Sequence, residues 1–224
     1  MIKGAIFDVD GTLLDSTQIW DDAASRYLIQ MGITPEPELG KILFPMSVKE
    51  GAEYLKKRYF LHQDCERIAE DVLRVVKDFY VNEAPLKNGA AEFLGQLADK
   101  GIPMVVATSS EKMYIRAAFE RHNILKYFRK IYTCSEVGAG KSKPIIYHRA
   151  AEELGTIPEE TYVFEDALHA IRTAADAGFR TVGVYDRFSE ADQDAIRGLA
   201  DVYLLNMTKL QDFWKQIGNT HLDL

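Results

Sequence analysis

The sequence predicts a doubly wound α/β fold, in which helices cover both faces of a parallel sheet and one all-helical segment interrupts the pattern. Short apolar runs rich in β-forming residues alternate along most of the chain with segments of helical periodicity. The alternation stops between residue 17 and about residue 84, where only helical periodicity is found. Strands that are separated by helices pair in parallel through right-handed crossovers, so the apolar runs are expected to form one sheet.

Six apolar runs are predicted to be the strands. The first is short and continuous and ends just before Asp8, as expected for a strand that is buried on both faces. The predicted strands are residues 2–7, 103–107, 130–133, 162–164, 181–185 and 202–205. The predicted helices between them are residues 90–100, 112–121, 145–154 and 168–177. Gly101 and Gly178 follow two of these helices, at the position where glycine commonly ends a helix.

The helical insertion divides the chain into two predicted domains. Turn-forming residues at positions 15–16 and 82–85 mark where the chain leaves the sheet and where it returns. We therefore expect a Rossmann-like core, formed by residues 1–15 and 86–224, and a helical cap formed by residues 16–85.

Composition limits the classes of partner. The chain has 27 Lys and Arg residues against 34 Asp and Glu residues, so its net charge of −7 disfavours nucleic acid. Cys65 and Cys134 are too far apart in sequence to suggest a metal-ligand pair. No apolar run approaches the roughly 20 residues that span a bilayer. The first apolar run is too short, and is followed too soon by the charged Asp8, to be a signal peptide. A cytoplasmic protein without a membrane partner is expected; its oligomeric state is left open.

Polar side chains that could carry chemistry follow the predicted strands. Ligands of open parallel sheets bind outside the carboxyl ends of the strands, so these side chains are expected to meet there. They are Asp8, Asp10, Thr108, Ser109, Ser110, Lys141, Lys143, Glu165 and Asp166. Several carboxylates at one place repel each other, and a hard cation such as Mg²⁺ would relieve this repulsion. Gly11 is expected to let the chain turn sharply and to leave backbone N–H groups free for a phosphate.

The motifs that contain these residues are similar to those of the haloacid dehalogenase superfamily. The segment 8–12, Asp-Val-Asp-Gly-Thr, resembles the nucleophile motif of that superfamily. Thr108 matches its second motif, and Glu165-Asp166 resembles its acidic fourth motif. Four motifs in the right order, each at a predicted strand end or loop, are a far more specific signal than any one of them. The resemblance covers nearly the whole chain, and the insertion corresponds to the family's helical cap.

Two lysines compete for the third motif of the family. That motif usually reads Gly-Lys-Pro-x-Pro, and the chain reads Gly-Lys-Ser-Lys-Pro at residues 140–144. Aligning Pro144 with the second proline makes Lys141 the family lysine and Lys143 an additional one. We favour Lys141, although Ser142 stands where the family has its first proline.

The resemblance implies a role for each site residue. Asp8 would be the nucleophile and a Mg²⁺ ligand, and Asp10 the general acid and base, with its backbone carbonyl also on the metal. Thr108 and Lys141 would hold the transferring phosphoryl group, with Ser109 and Gly11 as further phosphate-binding positions. Asp166 would complete the metal site with Glu165 beside it. Because residues i and i+2 of a strand face the same way, Asp8 and Asp10 are expected to address one substrate.

These roles predict a magnesium-dependent phosphatase that acts on a small phosphorylated metabolite through an aspartyl phosphate. The resemblance is to the group of β-phosphoglucomutase and phosphoglycolate phosphatase, so a phosphomutase is the alternative. Trp20 stands where that mutase has a histidine, and Glu111 follows the second motif where the mutase has basic and polar residues, which favours hydrolysis. A distant third hypothesis is a non-catalytic phospho-acceptor switch. It is disfavoured because receiver domains of that kind are shorter and lack a helical insertion.

Overall fold

The computed structural model describes residues 2–218, so Met1 and residues 219–224, including His221, lie outside the described part of the chain. The chain separates into two compact units. The first unit comprises the residues up to Asp15 together with those from Pro85 onward, and we call it the core. The second unit is Ser16–Ala84, and we call it the cap.

A six-stranded parallel sheet forms the centre of the core. Its strands are β1 (Gly4–Phe7), β2 (Met104–Thr108), β3 (Phe128–Thr133), β4 (Thr161–Glu165), β5 (Arg180–Val184) and β6 (Val202–Leu204). The strand order is β3-β2-β1-β4-β5-β6, and every pair is parallel. The predicted fold class is confirmed, and each of the six predicted strands is present with small shifts at its ends.

The carboxyl ends of the three central strands lie at the same edge of the sheet. Phe7, the last residue of β1, pairs with Val106 of β2 and with Phe164 of β4. The residues that follow β1, β2 and β4 therefore leave the sheet at the same edge. The chain order reverses between β1 and β4, and in doubly wound sheets such a switch point opens a crevice at the carboxyl ends.

The helices of the core pack against the sheet through apolar faces. They are α5 (Ala90–Asp99), α6 (Lys112–Arg121), α7 (Cys134–Val137), α8 (Ile145–Leu154), α9 (Leu168–Asp176), α10 (Gln193–Leu199) and α11 (Leu210–Gln216). One buried cluster joins Ile6 of β1 and Val163 of β4 to Ile146 and Tyr147 of α8. This packing fixes α8, and with it the loop before α8 that carries Lys141.

The cap consists of helices only. They are α1 (Ile19–Gln30), α2 (Leu39–Leu43), α3 (Val48–Tyr59) and α4 (Cys65–Asn82), and no strand lies between residues 16 and 84, all of which are described. Ser47 begins α3 with a reciprocal capping box to Glu50, and Asp64 caps α4. Apolar residues of α4 such as Ile68, Val76 and Tyr80 are buried at helical spacing.

Among the described residues, no helix is both long and apolar enough to cross a membrane.

Candidate active site

A buried lysine connects two carboxylates at the carboxyl edge of the sheet. The Lys141 amino group contacts Oδ1 of Asp8, which directly follows β1, and lies 2.7 Å from Oε1 of Glu165, the last residue of β4. All three side chains are buried, with side-chain exposures of 6%, 8% and 1% for Lys141, Asp8 and Glu165. An ion pair that is removed from water at such a place is retained only where its geometry and hydrogen bonds compensate for desolvation.

Lys141 and Lys143 occupy different environments. Both lie in the loop before α8, where the Lys143 N–H donates to the carbonyl of Gly140 and closes a tight turn. The side chain of Lys141 is buried against the carboxylates, whereas that of Lys143 is exposed. Burial alone would lower the pKa of Lys141, but the charges of Asp8 and Glu165 outweigh this effect and raise it, so the lysine is held in its charged form.

Asp8 lies in a strongly negative environment. Burial raises its pKa well above the ordinary value for aspartate, Lys141 counteracts this, and the charges of Glu165, Asp166 and Asp10 raise it further. One lysine does not balance the carboxylates that surround it. An additional positive charge near Asp8 would keep this group ionised.

Asp166 sits beside this cluster and is held by two hydroxyl groups. Its Oδ1 accepts a hydrogen bond of 3.4 Å from Thr12, and its Oδ2 accepts one of 3.3 Å from Ser189. Burial, followed by the charges of Glu165 and Asp186, raises the pKa of Asp166 to about 7.

The donor set fits a hard divalent cation. One carboxylate oxygen from each of Asp8, Glu165 and Asp166 lies within 4.8 Å of the others, and all three side chains are buried. Oxygen-only donors of this kind suit Mg²⁺. The raised pKa values of Asp8 and Asp166 have the same cause, because negative charges are buried together with too few positive ones.

Asp10 follows the strand rather than lying in it. Because β1 ends at Phe7, the alternation of side chains along a strand does not apply to Asp8 and Asp10, and that argument from the sequence was wrong. The Asp10 Oδ2 atom instead accepts a 2.6 Å hydrogen bond from the hydroxyl of Ser110. Its carboxylate is not part of the three-carboxylate group, although its charge is close enough to raise the pKa of Asp8.

The residues at the end of β2 have different surroundings from one position to the next. Thr108 is buried, and its hydroxyl oxygen accepts a 3.0 Å hydrogen bond from the N–H of Ser110. Ser109 is exposed, and its hydroxyl lies 3.4 Å from the sulfur of Cys134. Ser110, rather than Ser109, therefore contacts Asp10.

The expectation that Gly11 leaves backbone donors free for a phosphate was wrong. The N–H of Gly11 donates to the carbonyl of Leu14, and that of Thr12 donates to the carbonyl of Val9. The glycine is required for another reason, since its φ is +85° and an added Cβ atom would lie 2.4 Å from Oδ2 of Asp166. Gly11 therefore makes room for the Asp166 carboxylate.

Sequence reasoning missed Tyr147 as a site residue. Its hydroxyl donates a 3.0 Å hydrogen bond to the same Glu165 oxygen that Lys141 contacts. Burial, followed by the charge of Glu165, raises the pKa of the Tyr147 phenol, which therefore stays a donor. In the sequence Tyr147 occupies an apolar position of α8, so nothing distinguished it from a core aromatic residue.

Comparisons with known proteins point to one family of hydrolases. The model of the haloacid dehalogenase-like hydrolase family matches residues 5–184. The validoxylamine A 7′-phosphate phosphatase of Streptomyces hygroscopicus subsp. limoneus is 28% identical over 97% of this chain and 99% of its own length. The phosphorylated carbohydrates phosphatase of Thermotoga maritima is 26% identical over 81% of this chain and 84% of its own length.

A solved structure shares the fold. The structure of CbbY from Rhodobacter sphaeroides in complex with phosphate superimposes with a TM-score of 0.71 at 24% identity. The match covers 94% of this chain and 96% of CbbY. At that identity the likeness concerns the fold alone.

Proposed function

This chain belongs to the haloacid dehalogenase-like hydrolase family, and from that premise we propose that it hydrolyses small phosphomonoesters by transferring the phosphoryl group to Asp8. The resemblance predicted from the motifs is confirmed, and the family together with the curated phosphatases that it resembles makes the chain a phosphatase. The observation that carries the proposal is the buried contact between Lys141, Asp8 and Glu165 beside Asp166.

Asp8 would be the nucleophile. One of its oxygens attacks phosphorus in line, a P–O bond to Asp8 forms, and the bond from phosphorus to the ester oxygen breaks. The leaving oxygen takes a proton from Asp10. Asp10 then accepts a proton from the water that attacks the phosphoryl group on Asp8, which releases inorganic phosphate and restores the free carboxylate. The hydroxyl of Ser110 would hold the Asp10 side chain in place for both transfers.

Lys141 would neutralise charge on the transferring phosphoryl group, while Glu165 holds the Lys141 amino group in place. Fixed positive charge in a site that excludes water is a strong form of stabilisation for such a transition state. Thr108 would contribute its buried hydroxyl next to the same group.

Asp8 and Asp166 would hold Mg²⁺, together with Glu165 and the backbone carbonyl of Asp10. When bound, the cation supplies the positive charge that the buried carboxylates lack and polarises the phosphoryl oxygens. A hard cation at this place is supported by the three converging carboxylate oxygens and by the raised pKa values of Asp8 and Asp166.

The substrate would be a phosphorylated sugar or a similar small metabolite. Support comes from the two curated relatives, whose names describe phosphatases of validoxylamine A 7′-phosphate and of phosphorylated carbohydrates.

A panel of small phosphate esters assayed with Mg²⁺ tests the proposal. The panel includes β-glucose 1-phosphate with its bisphosphate activator, and both released phosphate and isomerised sugar phosphate are measured. We expect phosphate release that stops with a chelator, returns with Mg²⁺, and falls at least about 10³-fold in Asp8→Asn. Asp99→Asn, the same change at an exposed helix end, serves as the control.

Four results would contradict the proposal in distinguishable ways. Isomerisation without net phosphate release would make the protein a mutase. A single stoichiometric phosphorylation without turnover would make it a switch. Full activity of Asp8→Asn, or full activity in excess chelator, would refute the nucleophile or the metal site.

A further inference from the structure

The loop after β5 reaches the candidate metal site through Ser189. This loop begins at Tyr185, and Asp186 precedes a short 3₁₀ turn at Arg187–Asp192. The hydroxyl of Ser189 donates to Oδ2 of Asp166 at 3.3 Å, while the hydroxyl of Thr12 donates to Oδ1 from the other side. Both oxygens of Asp166 are thus engaged by neutral donors, which fixes the rotation of the carboxylate and keeps lone pairs of both oxygens available.

Asp186 organises the turn that carries Ser189. Its Oδ1 accepts a 2.9 Å hydrogen bond from the N–H of Phe188, and its backbone carbonyl accepts a 3.1 Å hydrogen bond from the N–H of Ser189. The amide side chain of Gln193 donates to the same carbonyl at 3.1 Å. The position of Ser189 therefore follows from the position of Asp186.

Lys87 fixes Asp186 in turn. Its amino group lies 2.8 Å from Oδ2 of Asp186 and 2.9 Å from the carbonyl oxygen of Tyr185. The Asp186 side chain is fully buried, and that of Lys87 is 16% exposed. The backbone of Lys87 also donates to the carbonyl of Leu13, so one residue joins the turn after β1 to the loop after β5.

We propose that Ser189 is a positioning residue for Asp166, and that the Lys87–Asp186 ion pair holds Ser189 in place so that Asp166 meets a divalent cation in a fixed orientation. This inference rests on the metal site of the proposed function. None of the four sequence motifs contains Ser189, Asp186 or Lys87. Removing a partner that orients a metal ligand typically costs about 10- to 100-fold in metal affinity or in activity.

Calorimetric titration of Mg²⁺ into the substrate-free protein tests the role of Ser189. We expect Ser189→Ala to raise the Kd for Mg²⁺ about tenfold, and Ser189→Thr, which keeps a hydroxyl, to restore wild-type binding. Ser135→Ala removes an exposed serine hydroxyl elsewhere in the core and should leave the Kd unchanged. Melting temperatures measured without Mg²⁺ establish that the variants are folded. An unchanged Kd in Ser189→Ala overturns the inference alone, whereas a wild-type protein that binds no Mg²⁺ overturns the metal site together with it.

Lys87→Met tests whether Lys87 holds Ser189 in place, because positioning and simple electrostatics predict opposite changes in Mg²⁺ affinity. If Lys87 acts through Ser189, Lys87→Met weakens Mg²⁺ binding. The double variant with Ser189→Ala then binds Mg²⁺ little more weakly, because both substitutions disrupt the same series of contacts. If Lys87 acted only through its charge, removing a positive group near the carboxylates would strengthen Mg²⁺ binding. Stronger binding in Lys87→Met, or fully additive losses in the double variant, would refute the anchoring role. Should Lys87→Met fail to fold, the comparison of Ser189→Ala with Ser189→Thr still decides the role of Ser189.

Discussion

The core and the cap differ in whether they bury charged side chains. Every buried Asp, Glu and Lys among residues 2–218 belongs to the core: Asp8, Lys141, Glu165, Asp166 and Asp186. The ion pairs observed in the cap each have at least one exposed partner, and in the pair of Arg67 with Glu70 the side chains are 50% and 58% exposed. The cap is stabilised by apolar faces of its helices and carries its charges outside, as helices of globular proteins usually do.

The difference indicates which unit contains the candidate catalytic groups. Burying a charge is costly, and several buried like charges at one place are costlier still. The core buries charged groups only around Asp8 and at Asp186, where hydroxyl groups and lysines contact the carboxylates. Substitutions of charged groups should accordingly have large effects in this cluster and small effects on the surface of the cap.

The largest effect among the following three predictions is expected for Lys141→Met. The substitution keeps a long side chain but leaves Asp8 and Glu165 buried without their shared positive charge. We expect turnover of the best ester in the panel to fall about 10³-fold, since fixed cations in phosphoryl transfer contribute effects of that order. Steady-state kinetics at saturating Mg²⁺ measure the change.

Lys143→Met is the matched control for Lys141→Met. The two lysines lie two positions apart in one loop, but the side chain of Lys143 is exposed. We expect Lys143→Met to retain wild-type turnover. If it lost activity while Lys141→Met kept it, Lys143 would be the family lysine and the role given to Lys141 would be wrong.

The sequence predicts the sheet and the cap helices well because both depend on patterns that repeat. The run at residues 181–185 corresponds to β5, and apolar residues at helical spacing around Ile68 and Tyr80 correspond to α4. Burial on one face or on both faces of an element leaves such a periodic trace. The motif residues were accessible for a different reason, namely their resemblance to a known family.

The contacts between side chains could not be predicted in the same way. Tyr147 meets Glu165, and Ser189 meets Asp166, across sequence separations of 18 and 23 residues. No periodicity marks such a pair, and the turn that directs Ser110 instead of Ser109 toward Asp10 depends on local backbone geometry. The role of Gly11 was missed because it requires knowing that the Asp166 carboxylate fills the space beside it.

A smaller effect is expected for Tyr147→Phe, which removes one of two donors from Oε1 of Glu165. The remaining donor is Lys141, so the contact between Lys141 and Glu165 is retained but less constrained. A hydrogen bond to a charged group contributes about 1.5–3 kcal/mol. We expect kcat to fall about tenfold, with a smaller change in KM, because the main consequence is a less fixed Lys141 in the transition state.

Tyr162→Phe separates this effect from the general loss of a tyrosine hydroxyl group. Tyr162 lies on β4 and is also buried, but its ring packs against Phe213 rather than against the carboxylate cluster. The control should leave kcat unchanged. Equal losses of kcat in the two variants would show that Tyr147 stabilises the fold without positioning Lys141.

The smallest effect is expected on the surface of the cap, for Glu70→Gln. This change removes the negative charge that lies 3.5 Å from Arg67, while Arg67 keeps its 3.2 Å contact with Asp71. Exposed pairs one helical turn apart contribute about 0.3–0.5 kcal/mol because water and salt screen them. We expect the free energy of unfolding, measured by urea denaturation, to change by less than about 0.5 kcal/mol, with turnover unchanged. A loss of several kcal/mol would mean that a surface charge of the cap contributes strongly to stability. The contrast between the two units would then be wrong.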